Sequence, residues 1–416
     1  MRMTGSAGAG KQVSEIDFTA GLMQSALMVR KIEAIVSPVF DGPQVVVFGV
    51  SLALGTKPEA VEGLGGALAM AAGAKRCRIA RDEGRLLVEV PKPPSERKVL
   101  PARRLLRVKP PSAWHVPVGL GMTGKVMWFN LADERMCHTV LGGTTRSGKT
   151  NLLHWILFRL LSQNPGRDLQ LVLLDPKGAE LQPFASVRHL IHPPQHLTGE
   201  IVKVLMWVDQ EMKRRAVAGI HEPRILIVID EVRNLVRADK NVSRLLNSIG
   251  EMAAAEGLHL MVTTQQPGAK ALGEALANFP CRFLGRVSSR TLEYGAAGRG
   301  RSQAADLLGR GDFLRITQDG IVRLQVPKVD VRMLAQLPQM REVPRLELGS
   351  FVEARISGQG GAVDARGGWQ RKELDMEEVE AAIAEGMTAS QLGREFGINF
   401  NRAKRLMEQL GGDDGD

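Results

Sequence analysis

Gly143-Thr144-Thr145-Arg146-Ser147-Gly148-Lys149-Thr150 follows the short apolar run Thr139 to Leu141 and leads into NLLHWILFRLL at 151–161. The octet fits G-x-x-x-x-G-K-[ST] between a predicted strand and a predicted helix, the context in which that spacing makes a phosphate-binding loop. Glycines let backbone N–H groups turn inward around the phosphates, Lys149 reaches the β and γ phosphates, and Thr150 offers a hydroxyl to Mg²⁺ at a helix N-terminus. Gly143, Thr144, Thr145, Arg146, Ser147, Gly148, Lys149, Thr150 and Asn151 are therefore the candidate nucleotide-binding residues, with ATP and Mg²⁺ as the expected ligands.

Outward from this loop, apolar runs that end in polar or acidic residues alternate with helical segments: Leu171 to Leu174 before Asp175, Ile225 to Ile229 before Asp230, and Leu258 to Val262 before Thr263. Runs apolar on both faces predict a parallel sheet covered by helices, with Arg282 to Val287, Phe313 to Ile316 and Ile321 to Val326 completing it. In RILIVIDE, Asp230 and Glu231 fall at the carboxyl end of a strand, where the ligand crevice of such a sheet lies. Asp230 is the candidate to organise Mg²⁺ together with Thr150, and Glu231 the candidate to polarise the attacking water. Gln265, ending LHLMVTTQQP, is a candidate γ-phosphate sensor because its amide both donates and accepts. Asp175 and Lys177 of DPK sit at another strand end, either near the nucleotide or as an ion pair holding their loop.

The chain as a whole fits this reading. Its 416 residues, 44% of them hydrophobic, suggest roughly three domains and exclude a disordered or fibrous chain. Fifty-five Lys and Arg against 45 Asp and Glu leave +10 at pH 7, an excess that suits a polyanionic partner. The longest apolar stretches, Val45 to Gly55 and Leu64 to Ala74, fall short of the ~18 to 20 residues that span a bilayer. The opening MRMTGSAGAGK lacks the apolar region of a secretory signal, so a cytoplasmic protein without membrane insertion is expected. Cys77, Cys137 and Cys281 show neither C-x-x-C pairing nor metal spacing and read as buried thiols. Upstream, Glu15 to Val36 has helical periodicity stopped by Pro38, Val45 to Leu54 reads as a strand, Lys57 to Ala72 as a helix, and Cys77 to Ala80 with Arg85 to Val90 as two strands. Pro91 to Pro111, with its prolines and cations, has the composition of a connector. The resulting division is an α/β domain at 1–105, a P-loop motor at 106–345, a Gly-rich linker at 346–372 and a helical domain at 373–416.

Several segments in order resemble the FtsK/SpoIIIE family of DNA-translocating ATPases: GPQVVVFGVSLALG, the approach VPVGLGMTGKVMWFNLADERMCHTVLGGTTRSGKTNLLH, then LVLLDPKGAEL, ILIVIDEVRNL, AAAEGLHLMVTTQQP, RVSSR and LLGRGDFL. SQLGREFGINFNRAKRLMEQLG is similar to the helix-turn-helix of that family's DNA-reading domain. The resemblance implies a RecA-like motor, preceded by a small α/β domain, assembling as a ring, most simply a homo-hexamer, around double-stranded DNA. It implies too an arginine acting across the subunit boundary, for which Arg282, Arg286 and Arg290 are all candidates. Three departures stand out: Gln266 where the family usually has arginine, little sequence after NRAKRLMEQL to form a wing, and no multi-span membrane region, so that any septal tether or recombinase contact needs a partner.

From Arg371 to Asp416 six Lys and Arg face eleven Asp and Glu, a net −5 against +15 for the rest. Asn401, Arg402, Lys404 and Arg405 nevertheless cluster on the last predicted helix, while Ala403, Leu406 and Leu410 can face its partners. Asparagine and arginine make bidentate contacts to adenine and guanine edges, which makes these four the candidate DNA-contacting residues. The leading expectation is Mg-ATP hydrolysis coupled to movement of duplex DNA. The alternatives are an ATPase coupling protein secretion and a DNA-binding structural ATPase without transport.

Overall fold

The computed structural model describes residues 7–346 and 348, apart from 83, 269–271, 290, 293–295 and 297–301. The expected linker beyond 348, the helical domain with Asn401, Arg402, Lys404 and Arg405, and Arg290 lie outside the described residues. The described residues up to 346 gather into one compact unit that contains a four-stranded, a nine-stranded and a two-stranded sheet.

The first sheet begins with α1 (Ala7–Met28), followed by β1 (Ala34–Asp41), β2 (Val45–Leu52), the short helices α2 (Glu59–Glu62) and α3 (Gly65–Ala71), β3 (Arg78–Asp82) and β4 (Arg85–Pro91). Its four antiparallel strands run in the order β1-β2-β4-β3, and Met23, Leu27, Phe48, Val61, Leu68 and Val88 fill the space between sheet and helices. The helix expected over 15–36 therefore stops eight residues early. Lys31 turns the chain at φ +57, and the β-branched Ile35, Val36 and Val39 enter an edge strand. Pro38 sits inside that strand, beside a register shift between Pro38 and Phe40, where its missing N–H disrupts the ladder least. The single helix expected over 57–72 is two helices, interrupted at Gly63 and Leu64.

The expected connector is a packed segment rather than a linker. It carries β5 (Leu100–Pro101) and α4 (Ala102–Leu106), with Leu100 and Leu105 buried. Prolines suit the two-residue strand because it needs few ladder donors.

The second sheet has nine strands: β6 (His115–Gly121), β7 (Val126–Asn130), β8 (Thr139–Gly142), β9 (Leu169–Leu174), β10 (Arg224–Ile229), β11 (Leu258–Thr264), β12 (Cys281–Leu284), β13 (Asp312–Thr317) and β14 (Gly320–Gln325). Their order is β7-β6-β14-β13-β12-β8-β11-β10-β9. From β12 to β9 every pair is parallel; from β12 to β7 every pair is antiparallel. The parallel strands are buried on both faces, which explains their continuous apolar runs. Between them run α5 (Lys149–Gln163), α6 (Thr198–Ala218), α7 (Val232–Ala238) and α8 (Lys240–Met252), and the last described elements are β15 (Pro327–Lys328), paired to β5, and α9 (Val331–Leu334). In α5 Leu152 through Leu161, His154 excepted, are all buried, and Trp155 Nε1 donates to the Pro117 carbonyl at 2.8 Å, pinning β6 to the helix. The mixed α/β sheet with its parallel half matches the expected fold class, while the β6–β7 hairpin was not foreseen in the sequence. Among the described residues no helix is long and apolar enough to cross a membrane.

Candidate nucleotide site

β8 and α5 meet at the phosphate loop, and the backbone there takes the shapes glycine permits: Gly143 at φ +142 and Gly148 at φ +107, with Arg146 also positive at +66. The loop is braced from two sides. Gly143 N donates to the Thr264 carbonyl at 3.2 Å, and Thr144 gives both its N–H and its hydroxyl to the Arg286 carbonyl at 2.8 and 3.0 Å. On the other side Arg310 N and Gly311 N donate to the carbonyls of Arg146 and Ser147 at 3.2 and 2.9 Å. A Cβ at Gly142 would lie 2.3 Å from Pro267 Cβ, and one at Gly285 would lie 2.7 Å from Ser147 Cβ, so close packing fixes both flanks.

Lys149 Nζ reaches back over the loop to the Gly143 carbonyl at 2.6 Å and the Thr144 carbonyl at 3.4 Å. Burial lowers its pKa, and the charges of Glu231, Asp230 and Glu180 oppose that effect. The first N–H groups of α5 have no carbonyl four residues back within the helix, and the Ser147 hydroxyl is buried without a hydrogen-bond partner. Donors that the fold leaves unspent around a glycine cradle fit a phosphate. Asn151 is used differently: its Nδ2 donates to the Pro327 carbonyl at 2.6 Å and its Oδ1 accepts Val329 N at 2.8 Å, so the side chain ties α5 to β15. A cleft of about 330 Å³ opens beside it, lined by Val99, Gly148, Arg310, Gln325 and Lys328 among others.

Strand β11 lies between β8 and β10, so the phosphate loop and the two acids face one another across the end of a single strand. That strand supplies the connection. Thr263 Oγ1 donates to Asp230 Oδ1 at 2.6 Å and accepts Glu231 N at 3.1 Å. Burial raises the Asp230 pKa; the Thr263 hydroxyl works against this, and Asp175, Glu180 and Glu231 add to it. The bond leaves Oδ2 of Asp230 for a further partner, and that oxygen and the Thr150 hydroxyl are each hard donors of the kind Mg²⁺ prefers. Glu231 is buried at φ +46, with Oε1 accepting Gln265 N at 3.3 Å and facing the Thr264 hydroxyl at 3.4 Å. Gln265 itself is exposed at the strand end.

Asp175 belongs to the neighbouring loop, where its carboxylate accepts the N–H groups of Lys177, Gly178 and Leu181 at 3.0 to 3.1 Å. It shapes that loop through backbone bonds, not through an ion pair with Lys177. Arg282 donates to the carbonyls of Leu276, Phe279 and Ala296 of its own chain, whereas the Arg286 side chain is exposed beside the phosphate loop. Pattern reading passed over Thr263 and the turn Gly309-Arg310-Gly311. The doubled threonine before Gln265 and the G-R-G spacing were the available signals.

A strand, glycine loop and helix, with two acids at the end of the next strand but one, define a P-loop nucleotide-binding protein. Residues 105–222 match the model of the FtsK/SpoIIIE family and residues 4–92 match that of the FtsK alpha domain. Among curated proteins it is 28% identical over 408 residues to the DNA translocase FtsK of Streptococcus pyogenes, covering 89% of this chain and 50% of that protein. It is also 28% identical over 426 residues to the DNA translocase SftA of Bacillus subtilis, covering 94% of this chain and 43% of that one. The chain thus spans about half the length of the curated relatives it matches. Among solved structures, the pCW3 conjugation coupling protein TcpA, as a monomer with ATPγS, superposes with a TM-score of 0.50 at 18% identity, covering 76% of this chain and 99% of that one. EssC (ATPases 2 and 3) from Geobacillus thermodenitrificans gives 0.51 at 15% identity, covering 61% of this chain and 54% of that one. These two likenesses establish the fold.

Proposed function

We propose that the chain hydrolyses Mg-ATP and uses that reaction to move along double-stranded DNA as a ring of identical subunits, most simply a homo-hexamer. The observation that carries the reading is the meeting of the Lys149 loop with Asp230 and Glu231 across the end of β11, in a chain related to DNA translocases over most of its length. Lys149 and the first N–H groups of α5 bind the phosphates, and the base and ribose lie toward the cleft bounded by Val99 and Lys328. Thr150 and Asp230 would hold Mg²⁺, which when bound neutralises phosphate charge. Glu231 accepts the proton of the attacking water, its free Oε2 being the oxygen that no backbone bond occupies. Gln265, exposed at the end of β11, is the proposed sensor of the terminal phosphate, because its amide both donates and accepts. Arg286 and Arg290 are the better candidates for a trans arginine, since the Arg282 guanidinium is engaged by three carbonyls of its own subunit. We further propose domains at 1–105, 106–345 and 373–416 joined by a linker at 346–372, with Asn401, Arg402, Lys404 and Arg405 loading or orienting the motor on DNA, and a cytoplasmic site of action.

The test is ATP hydrolysis by the purified chain with and without linear duplex DNA at modest salt, since phosphate-driven binding weakens as salt rises. Strong stimulation that disappears in Lys149→Ala, with folding retained, is the expected result. Hydrolysis indifferent to duplex DNA would transfer the reading to a secretion-coupling ATPase.

A further inference from the structure

Arg323 on β14 is buried at 4% exposure, and its guanidinium is held by two carboxylates. Nε and Nη2 donate to Asp312 Oδ1 and Oδ2 at 2.8 and 2.7 Å, and Nη1 donates to Glu89 Oε2 at 2.6 Å. Glu89, 1% exposed, belongs to β4 of the small sheet, and its other oxygen accepts Arg78 Nη1 at 2.7 Å. Asp312 opens β13, and its Oδ2 also accepts Leu308 N at 2.7 Å. An unbroken chain of charge-assisted bonds thus runs from the four-stranded sheet to the turn 308–312. A second tie is neutral: Gln44, buried just before β2, donates from Nε2 to the Arg310 carbonyl at 3.1 Å.

What that turn touches gives the ties their consequence. Gly309, Arg310 and Gly311 have φ of +75, +52 and +92, three left-handed residues in succession with arginine in the middle. Such a backbone keeps its shape only where its surroundings over-determine it. Its N–H groups at 310 and 311 hold the carbonyls of Arg146 and Ser147, and a Cβ on Gly148 would lie 2.9 Å from Gly311 N. The turn is therefore the outer wall of the phosphate loop. Stability alone is a poor reason for the buried ions, because apolar residues of similar volume commonly hold a fold as well. A forked guanidinium between two carboxylates does what apolar packing cannot: it fixes distance and direction.

We propose that Glu89 and Gln44 are positioning residues for the nucleotide site, so that the seating of the small sheet, acting through Arg323 and Asp312 and directly on Arg310, sets the affinity of the phosphate loop for ATP. The inference rests on the nucleotide-hydrolase reading of that loop. It assigns to the four-stranded module a share in ATP binding, exerted through ties to the turn that walls the loop.

The experiment uses the full chain, with Mg-ATP in steady-state hydrolysis and ATPγS in calorimetric titration, well below the melting temperature. Glu89→Gln keeps the size of the side chain and removes its charge; Gln44→Leu cuts the neutral tie and leaves the ion set intact. Each is expected to raise Kd and KM at least about fivefold while kcat at saturation stays within about twofold. Val61→Ala, which loosens the core of the same module without touching either tie, is expected to lower the melting temperature and leave Kd unchanged. Unchanged Kd in both tie variants, or an equal rise in Val61→Ala, overturns the inference. Should the parent chain itself bind no nucleotide, it is the proposed function that fails. Should Glu89→Gln not fold, Gln44→Leu decides alone.

Discussion

Replacing Thr263 by valine removes one buried hydroxyl while keeping the β-branched shape that strand β11 requires. The hydroxyl donates to Asp230 Oδ1 at 2.6 Å and accepts Glu231 N at 3.1 Å, and Thr263 is 2% exposed, so no bulk water replaces either bond. Losing a hydrogen bond to a charged group costs about 1.5–3 kcal/mol, and leaving the Glu231 N–H unsatisfied costs about 1–3 kcal/mol more. The added methyl returns about 0.8 kcal/mol, for a net loss of about 2–5 kcal/mol. The pH dependence has a definite sign. Burial already holds the Asp230 pKa above its ordinary value, and loss of the hydroxyl donor raises it further. A carboxyl raised in the folded state binds more protons folded than unfolded, so stability falls as pH climbs from the unfolded pKa to the folded one. The valine deficit is therefore full above the folded pKa of the variant and shrinks on acidification, where Asp230 is protonated in both proteins. Urea unfolding of the full chain without nucleotide or divalent ions, at about pH 8 and about pH 5, reads this out as a midpoint about 1 M lower at the higher pH. A midpoint unchanged at the higher pH, or a deficit that grows toward acid, would refute the reasoning.

Glu231→Gln keeps the acceptor for Gln265 N and loses the base, so nucleotide binding persists while turnover falls about 10²–10⁴-fold in single-turnover assays; normal turnover moves the base elsewhere. Gly142→Ala places a methyl 2.3 Å from Pro267 Cβ and 2.5 Å from its Cγ, both on a rigid ring. Displacing that ring costs about 1–3 kcal/mol by thermal melting, whereas Gly66→Ala, with nothing within 4 Å, costs nothing measurable; equal melting of the two variants contradicts the packing argument.

The candidate site was legible because phosphate binding needs particular residue types at fixed spacing. Lys149, Thr150, Asp230 and Glu231 could each be read from a strand end. The hairpin β6–β7 was not, and its glycines show why. A Cβ on Gly119 would lie 2.4 Å from the Gln325 carbonyl, so the approach of β6 to β14, some two hundred residues away in sequence, demands the residue that breaks the alternation. The same logic misplaced the end of α1. Pro38 reads as a helix stop in isolation, but its place in an edge strand depends on β2, which only tertiary pairing supplies. The packed segment around Leu100 and Leu105 was hidden by the prolines and cations that surround it.

The two halves of the large sheet divide the work accordingly. Parallel strands β8, β10 and β11 end in the groups proposed for the nucleotide site, and the βα connections that follow them set those groups by local sequence. Antiparallel strands β13 and β14 carry no group for the chemistry. Their contribution is Asp312 and Arg323, which anchor one end of the left-handed turn that walls the phosphate loop and bind it to a carboxylate more than two hundred residues upstream. A catalytic group is written into a short motif because its neighbours in the chain are its neighbours in space. A support assembled from Glu89, Asp312 and Arg323 has no such motif, and its meaning appears only when the two sheets are seated together.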